Sequence, residues 1–65
     1  MNKVYVVLND WNESTNLFGV YVSFESAKNA VNRWTGEKNG EWVLKNCFET
    51  NRGEMYRIVT RVVEP

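Results

Sequence analysis

The chain has 65 residues, with eight basic and eight acidic side chains, one cysteine and no histidine. That length supports one domain spanning residues 1–65, and a domain this small buries only about 60% of its unfolded surface, so its core needs a supplement. One cysteine excludes an internal disulfide, the lack of histidine excludes an ordinary Cys/His zinc site, and the zero net charge argues against a protein built mainly to grip phosphates. Oligomerisation remains as the supplement.

Met1-Asn2-Lys3 leads straight into Val4–Leu8, a run dense in β-branched residues that reads as the first strand. No stretch of about 18 apolar residues occurs, so a soluble, cytoplasmic protein without a membrane segment is expected. The polar stretch from Asn9 to Asn16 reads as a loop of eight residues before a second strand over Leu17–Val22. Within it, Asn12-Glu13-Ser14 matches a glycosylation sequon that has no secretory context. Asp10, Asn12 and Ser14 imitate the first ligands of a calcium loop, but Thr15 stands where glycine is required and Tyr21 where a glutamate is required. No metal ligand is assigned. Trp11, in the same polar stretch, is either a binding anchor or a ring folded back over the sheet edge.

Ser23 is placed to cap a helix and Glu25 to favour its positive end. Phe24, Ala27, Val31 and Trp34 recur at spacings of three and four, with Ala30 beside them, giving an apolar stripe opposite Lys28, Asn29, Asn32 and Arg33. Gly36 can end the helix in a left-handed conformation. Glu37-Lys38-Asn39-Gly40 is turn material, Glu41–Glu49 reads as a third strand, Thr50-Asn51-Arg52-Gly53 as a hairpin turn and Glu54–Val63 as a fourth strand.

The order β-β-α-β-β predicts a two-layer α+β fold, a four-stranded, mainly antiparallel sheet with one helix. One helix covers one face of a sheet, and these strands are apolar on both. Alternation assigns Val4, Val6, Leu8, Phe18, Val20, Val22, Trp42, Leu44, Phe48, Tyr56, Ile58 and Val62 to the helix side, with Trp34 in the same core. Asn46 then falls on the core side, which signals a bulge or another register. The opposite face carries Tyr5, Val7, Leu17, Tyr21, Val43, Cys47, Met55, Val59 and Val63, interrupted by Lys45, Arg57 and Arg61. Tyr5, Val7, Trp11, Tyr21, Arg57, Val59 and Arg61 are the candidate contact residues for a partner or a second copy.

Without histidine the commonest general base is missing, the carboxylates are scattered over turns and strand ends, and Cys47 has no activating neighbour in sequence. No catalytic residue and no cofactor are assigned, so the chain is expected not to be an enzyme. Arginine with aromatic side chains on one face is an interface composition, which favours a protein partner and a homodimer through the open face or an edge. Tyrosines stacking bases beside arginines give the alternative, a small nucleic-acid-binding regulator.

The segment Gly19-Val20-Tyr21-Val22-Ser23-Phe24-Glu25-Ser26-Ala27-Lys28-Asn29-Ala30, preceded by Val4-Tyr5-Val6-Val7, resembles small accessory proteins of bacteriophages, prophages and bacteria. The resemblance covers the first half of the chain and carries no functional residues. It implies a non-enzymatic protein that binds and inhibits or redirects a host protein, including anti-defence activity, in the host cytoplasm.

Overall fold

The computed structural model describes residues 2–36 and 39–63. Strands β1 (Asn2–Trp11) and β2 (Ser14–Tyr21) are followed by helix α1 (Phe24–Thr35), then β3 (Gly40–Leu44), β4 (Cys47–Thr50) and β5 (Met55–Val63). The sheet order is β2-β1-β5-β4-β3 with every neighbouring pair antiparallel. Helix α1 connects one edge strand to the other and lies across a single face. The α+β class with one helix is as expected, but the sheet has five strands, not four.

The fifth strand arises because Glu41–Glu49 is not continuous. Lys45 and Asn46 form a two-residue turn between β3 and β4. Asn46 is therefore no core residue: its backbone carbonyl accepts from the Ile58 N–H at 2.8 Å and its side-chain amide donates to the Ile58 carbonyl at 3.0 Å. Those bonds tie the turn to β5.

The expected eight-residue loop is also absent. Asn9, Asp10, Thr15 and Asn16 look like turn formers, yet they continue the ladder as the pairs Asn9 with Asn16 and Asp10 with Thr15. The reversal is confined to Asn12 and Glu13, both at positive φ (53° and 66°), the signature of a type I′ hairpin.

The helix follows its sequence signals closely. Ser23 is extended (φ −141°, ψ 156°) and its hydroxyl accepts from the Ser26 N–H at 3.1 Å. At the other end Gly36, at φ 73°, donates its N–H to the Asn32 carbonyl at 2.9 Å. Gly53, at φ 93°, closes the β4–β5 turn through a 3.0 Å bond to the Thr50 carbonyl. Glu37 and Lys38 of the expected turn before β3 lie outside the described residues.

The core consists of Ala27 and Val31 from the helix against Val7, Phe48, Tyr56 and Ile58 from the sheet, with Tyr5, Phe18, Tyr21, Phe24 and Trp42 packed around them. Full burial of a side chain such as Phe48 contributes about 2–3 kcal/mol. Edge-to-face ring pairs join the helix layer to the sheet layer: Tyr5 to Phe24 at 6.1 Å and Phe18 to Trp34 at 5.5 Å. Trp34 is an exception to the expected core, because it is 68% exposed. Its indole N–H still reaches the Tyr56 hydroxyl at 3.1 Å.

Three registers differ from the simple alternation, and in β3 the extra residue Val43, between the pairs Trp42 with Phe48 and Leu44 with Cys47, turns Leu44 away from the helix. In β2, Val7 pairs with Gly19 but Leu8 with Leu17, so Phe18 is an extra residue. The bulge puts Phe18 toward the helix, Val20 away from it and Tyr21 toward it again. A Cβ on Gly19 would meet the Tyr21 ring at 2.7–3.0 Å, so the missing side chain makes room for that ring over the bulge. In β1 the parity is the reverse of the expected one. Val7 is fully buried and Tyr5 packs against Phe24, while Val4, Val6 and Leu8 point away from the helix. The run Val4-Tyr5-Val6-Val7-Leu8 is apolar at every position, so alternation gives it no direction.

Candidate functional site

Antiparallel pairs share a face, and the pairings therefore define the side of the sheet that no element among the described residues covers. Its centre is the row Val20, Val6 and Val59, flanked by the row Leu17, Leu8, Arg57 and Cys47. Toward the β1–β2 turn comes an acidic row containing Asp10, Glu49 and Glu41 around Met55, and at the opposite end Val4 pairs with Arg61. The apolar surface left open is largest on the edge strands. Leu17 is 66%, Val20 55% and Leu44 64% exposed. The central Val4, Val6, Leu8 and Val59 are half-buried by their own neighbours in the sheet.

One polar cluster interrupts this surface. The Arg57 guanidinium binds Asp10 through two bonds, Nε to Oδ2 at 2.5 Å and Nη2 to Oδ1 at 3.3 Å, and the Thr15 hydroxyl donates to Oδ1 at 2.6 Å. Hydrogen bonds from Arg57 and Thr15 hold the Asp10 carboxyl below its ordinary 3.8, and the same Asp10 contact raises Arg57. Beside them Cys47 is buried although it lies on the open side, with its Sγ 3.3 Å from Met55 Sδ. Burial raises its thiol pKa, with partial relief from Arg57.

Of the seven candidate contact residues, Arg57, Val59 and Arg61 share the uncovered face. Tyr5, Val7 and Tyr21 lie on the helix side, where Val7 has no surface to offer a partner. Trp11 ends β1 on the helix-side parity, with the Arg52 guanidinium of the β4–β5 turn 5.9 Å from its ring. It remains 42% exposed. The open-face residues that alternation placed in the core are Val4, Val6, Leu8, Val20 and Leu44. The Gly19 next to Phe18 was the available sign of the bulge, since an isolated glycine within a strand marks such a site.

Among the described residues no group of three or more His, Cys, Asp or Glu side chains is placed to hold a metal ion, and no helix is long and apolar enough to cross a membrane. In comparison with known proteins, no family model matches the chain, and neither a curated protein nor a solved structure matches it significantly.

Proposed function

We propose that this chain is a non-enzymatic interaction protein that works by docking the helix-free face of its sheet onto another protein surface. The observation that carries this reading is the aliphatic face itself, with Leu17, Val20 and Leu44 more than half exposed around the Arg57–Asp10 ion pair. Contiguous apolar surface of this kind on a small domain marks a contact site. The resemblance to phage accessory proteins gives the proposal its narrower form, inhibition or redirection of a host protein by contact.

The nucleic-acid alternative loses support from the same geometry. Tyr5 and Tyr21, which were to stack bases, pack under the helix. The open face then carries two cations, Arg57 and Arg61, against three carboxylates, Asp10, Glu41 and Glu49. Arg57 is already engaged by Asp10. Such a surface repels phosphates more than it attracts them.

The test compares the native chain with Val20→Lys as immobilised baits in bacterial lysate. The proposal expects a host protein retained in near-stoichiometric amount by the native bait and lost by the variant. Identical sets of retained proteins from the two baits refute it.

A further inference from the structure

We infer that the helix-free face is covered by a second copy of this chain, giving a four-layer dimer in which two sheets pack face to face and the helices lie outside. This inference rests on the reading of that face as a docking surface, with the second copy covering it in the free protein and giving way to the host protein on binding, and three observations select that occupant.

The first concerns the edges. Self-association of a small sheet can proceed through an edge or through a face, and bulges are a common means of blunting edges. Both edge strands carry an irregularity: β2 at Phe18 and β3 at Val43, the residue left over between the pairs Trp42 with Phe48 and Leu44 with Cys47. Continuous edge-to-edge pairing is thereby blocked on both sides. The face remains.

The second is size. Strands of four to ten residues at about 4.8 Å spacing give the sheet a projected area of about 600 Å². Corrugation by side chains brings the accessible surface close to the roughly 800 Å² per partner that a standard interface buries. The whole face is needed to reach that value, so the occupant must be as broad and flat as the sheet. A second sheet of the same kind fits that description, and stacked sheets pack about 10 Å apart with their strands aligned to within about 30°.

The third is charge. Glu41 and Glu49 are directly opposed on the open face, an unfavourable like-charge pair, and neither has a cationic partner among the described residues. Arg61 stands at the other end of the same face, where among the described residues its guanidinium bonds to the Thr60 carbonyl alone. A two-fold axis in the plane of the interface and perpendicular to the strands reverses the strand direction of the second copy. It sets Arg61 of each copy over Met55 of the other, between Asp10 and Glu49, and places the Val6, Val20 and Val59 row on the Leu8, Leu17 and Arg57 row. Arg61 then meets Glu49 of the other copy twice, once at each end, as an isologous contact requires.

Light scattering on the full chain after size exclusion, together with sedimentation equilibrium from about 1 to 500 μM, tests this arrangement. The expected species has twice the 7.6 kDa mass of the chain. Val20→Lys, at an exposed edge-strand site, yields a monomer with an unchanged circular dichroism spectrum, whereas Val62→Lys, equally exposed on the helix side, leaves the dimer intact. Arg61→Glu and Glu49→Arg each weaken association by at least tenfold, and combining them restores it. A monomer at 500 μM, equal effects of the two lysines, or no recovery in the charge swap overturns the inference. A monomer whose native bait still retains a host protein that Val20→Lys loses overturns the dimer alone, while a dimer whose two baits retain identical sets overturns the host contact alone.

Discussion

The orientation of β1 decides which residues a partner can reach, so a pair of neighbouring substitutions gives it a direct test. Val6 and Val7 are adjacent, chemically identical and on opposite sides of the sheet. Val7 is fully buried against Ala27, Val31 and Ile58 in the core cluster, whereas Val6 is half-buried on the helix-free side. Val7→Ala removes two methyl-sized groups at about 0.8 kcal/mol each, and the cavity left under the helix adds about 1 kcal/mol, for a total near 2.5 kcal/mol. Val6→Ala leaves no enclosed cavity and costs less than about 1 kcal/mol in the monomer. A 65-residue domain has roughly 3–10 kcal/mol of total stability, so the first change is a large fraction of it. Urea titrations followed by tryptophan fluorescence, at a concentration low enough to keep the chain monomeric, read both values from the midpoints at constant slope. Equal losses, or a larger loss for Val6→Ala, refute the assignment of faces and the docking surface built on it.

Four further outcomes follow from particular contacts. Glu13 sits at φ 66° in the two-residue turn, where a left-handed conformation costs about 1 kcal/mol for a residue with a side chain. Glu13→Gly relieves that cost, partly offset by the looser unfolded chain, and should add about 0.5 kcal/mol, seen as a rise in Tm of about 2–4 °C. Gly40→Ala would drive its Cβ into the backbone of the neighbouring strand, 2.7 Å from Thr50 Cα and against the Glu49 carbonyl, and should cost about 1–3 kcal/mol by denaturant titration. The Asp10 carboxyl has a lowered pKa in the folded state, so its ion pair contributes stability above the unfolded value near 3.8 and loses it as pH falls through the lower folded value. The pair is partly exposed, and the stability margin over Asp10→Asn should be about 0.5–1 kcal/mol between pH 5 and 8 and vanish in acid. Cys47 should react with a thiol reagent at least about 100-fold more slowly in the native protein than in urea, and fast native labelling would contradict its burial.

How far the fold was legible depended on whether the signal was local. The helix carried its own start, stripe and stop, and Ser23, Ala27, Val31 and Gly36 perform those roles in the structure. The strands carried no such punctuation. Polar residues at the ends of β1 and β2 looked like loop because their pairing across the ladder is a non-local property, and the Asp10 bond to Arg57 joins residues 47 positions apart. Lys45-Asn46 was read through for the converse reason, since the apolar positions on either side of it look like one strand, and Asn46 on the core side was the one sign of the break. Face assignment failed where both parities were apolar, in Val4–Leu8, and where the bulges at Phe18 and Val43 changed the phase. It succeeded in β5, where the buried Tyr56 and Ile58 alternate with Arg57 and Val59.

The corrected parity changes the chemistry of the open side more than its location. With Tyr5 and Tyr21 under the helix, the surface offers branched aliphatic side chains and no aromatic platform, which suits dry packing and not base stacking. The distribution of exposure then determines where a partner gains most. Val59 and Arg57 lie on an inner strand, but Val59 is already half-buried by its neighbours and Arg57 is held by Asp10, so covering them adds little. Leu17 and Leu44 retain about two thirds of their surface. Burying the remainder of such a leucine contributes about 1–2 kcal/mol, several times what a half-covered central valine offers. Cys47 and Met55, in contact at 3.3 Å on the uncovered side, already form a small apolar cluster next to Leu44. A docked sheet therefore extends a second core that the chain begins by itself, with the edge strands and not the centre as its main points of attachment.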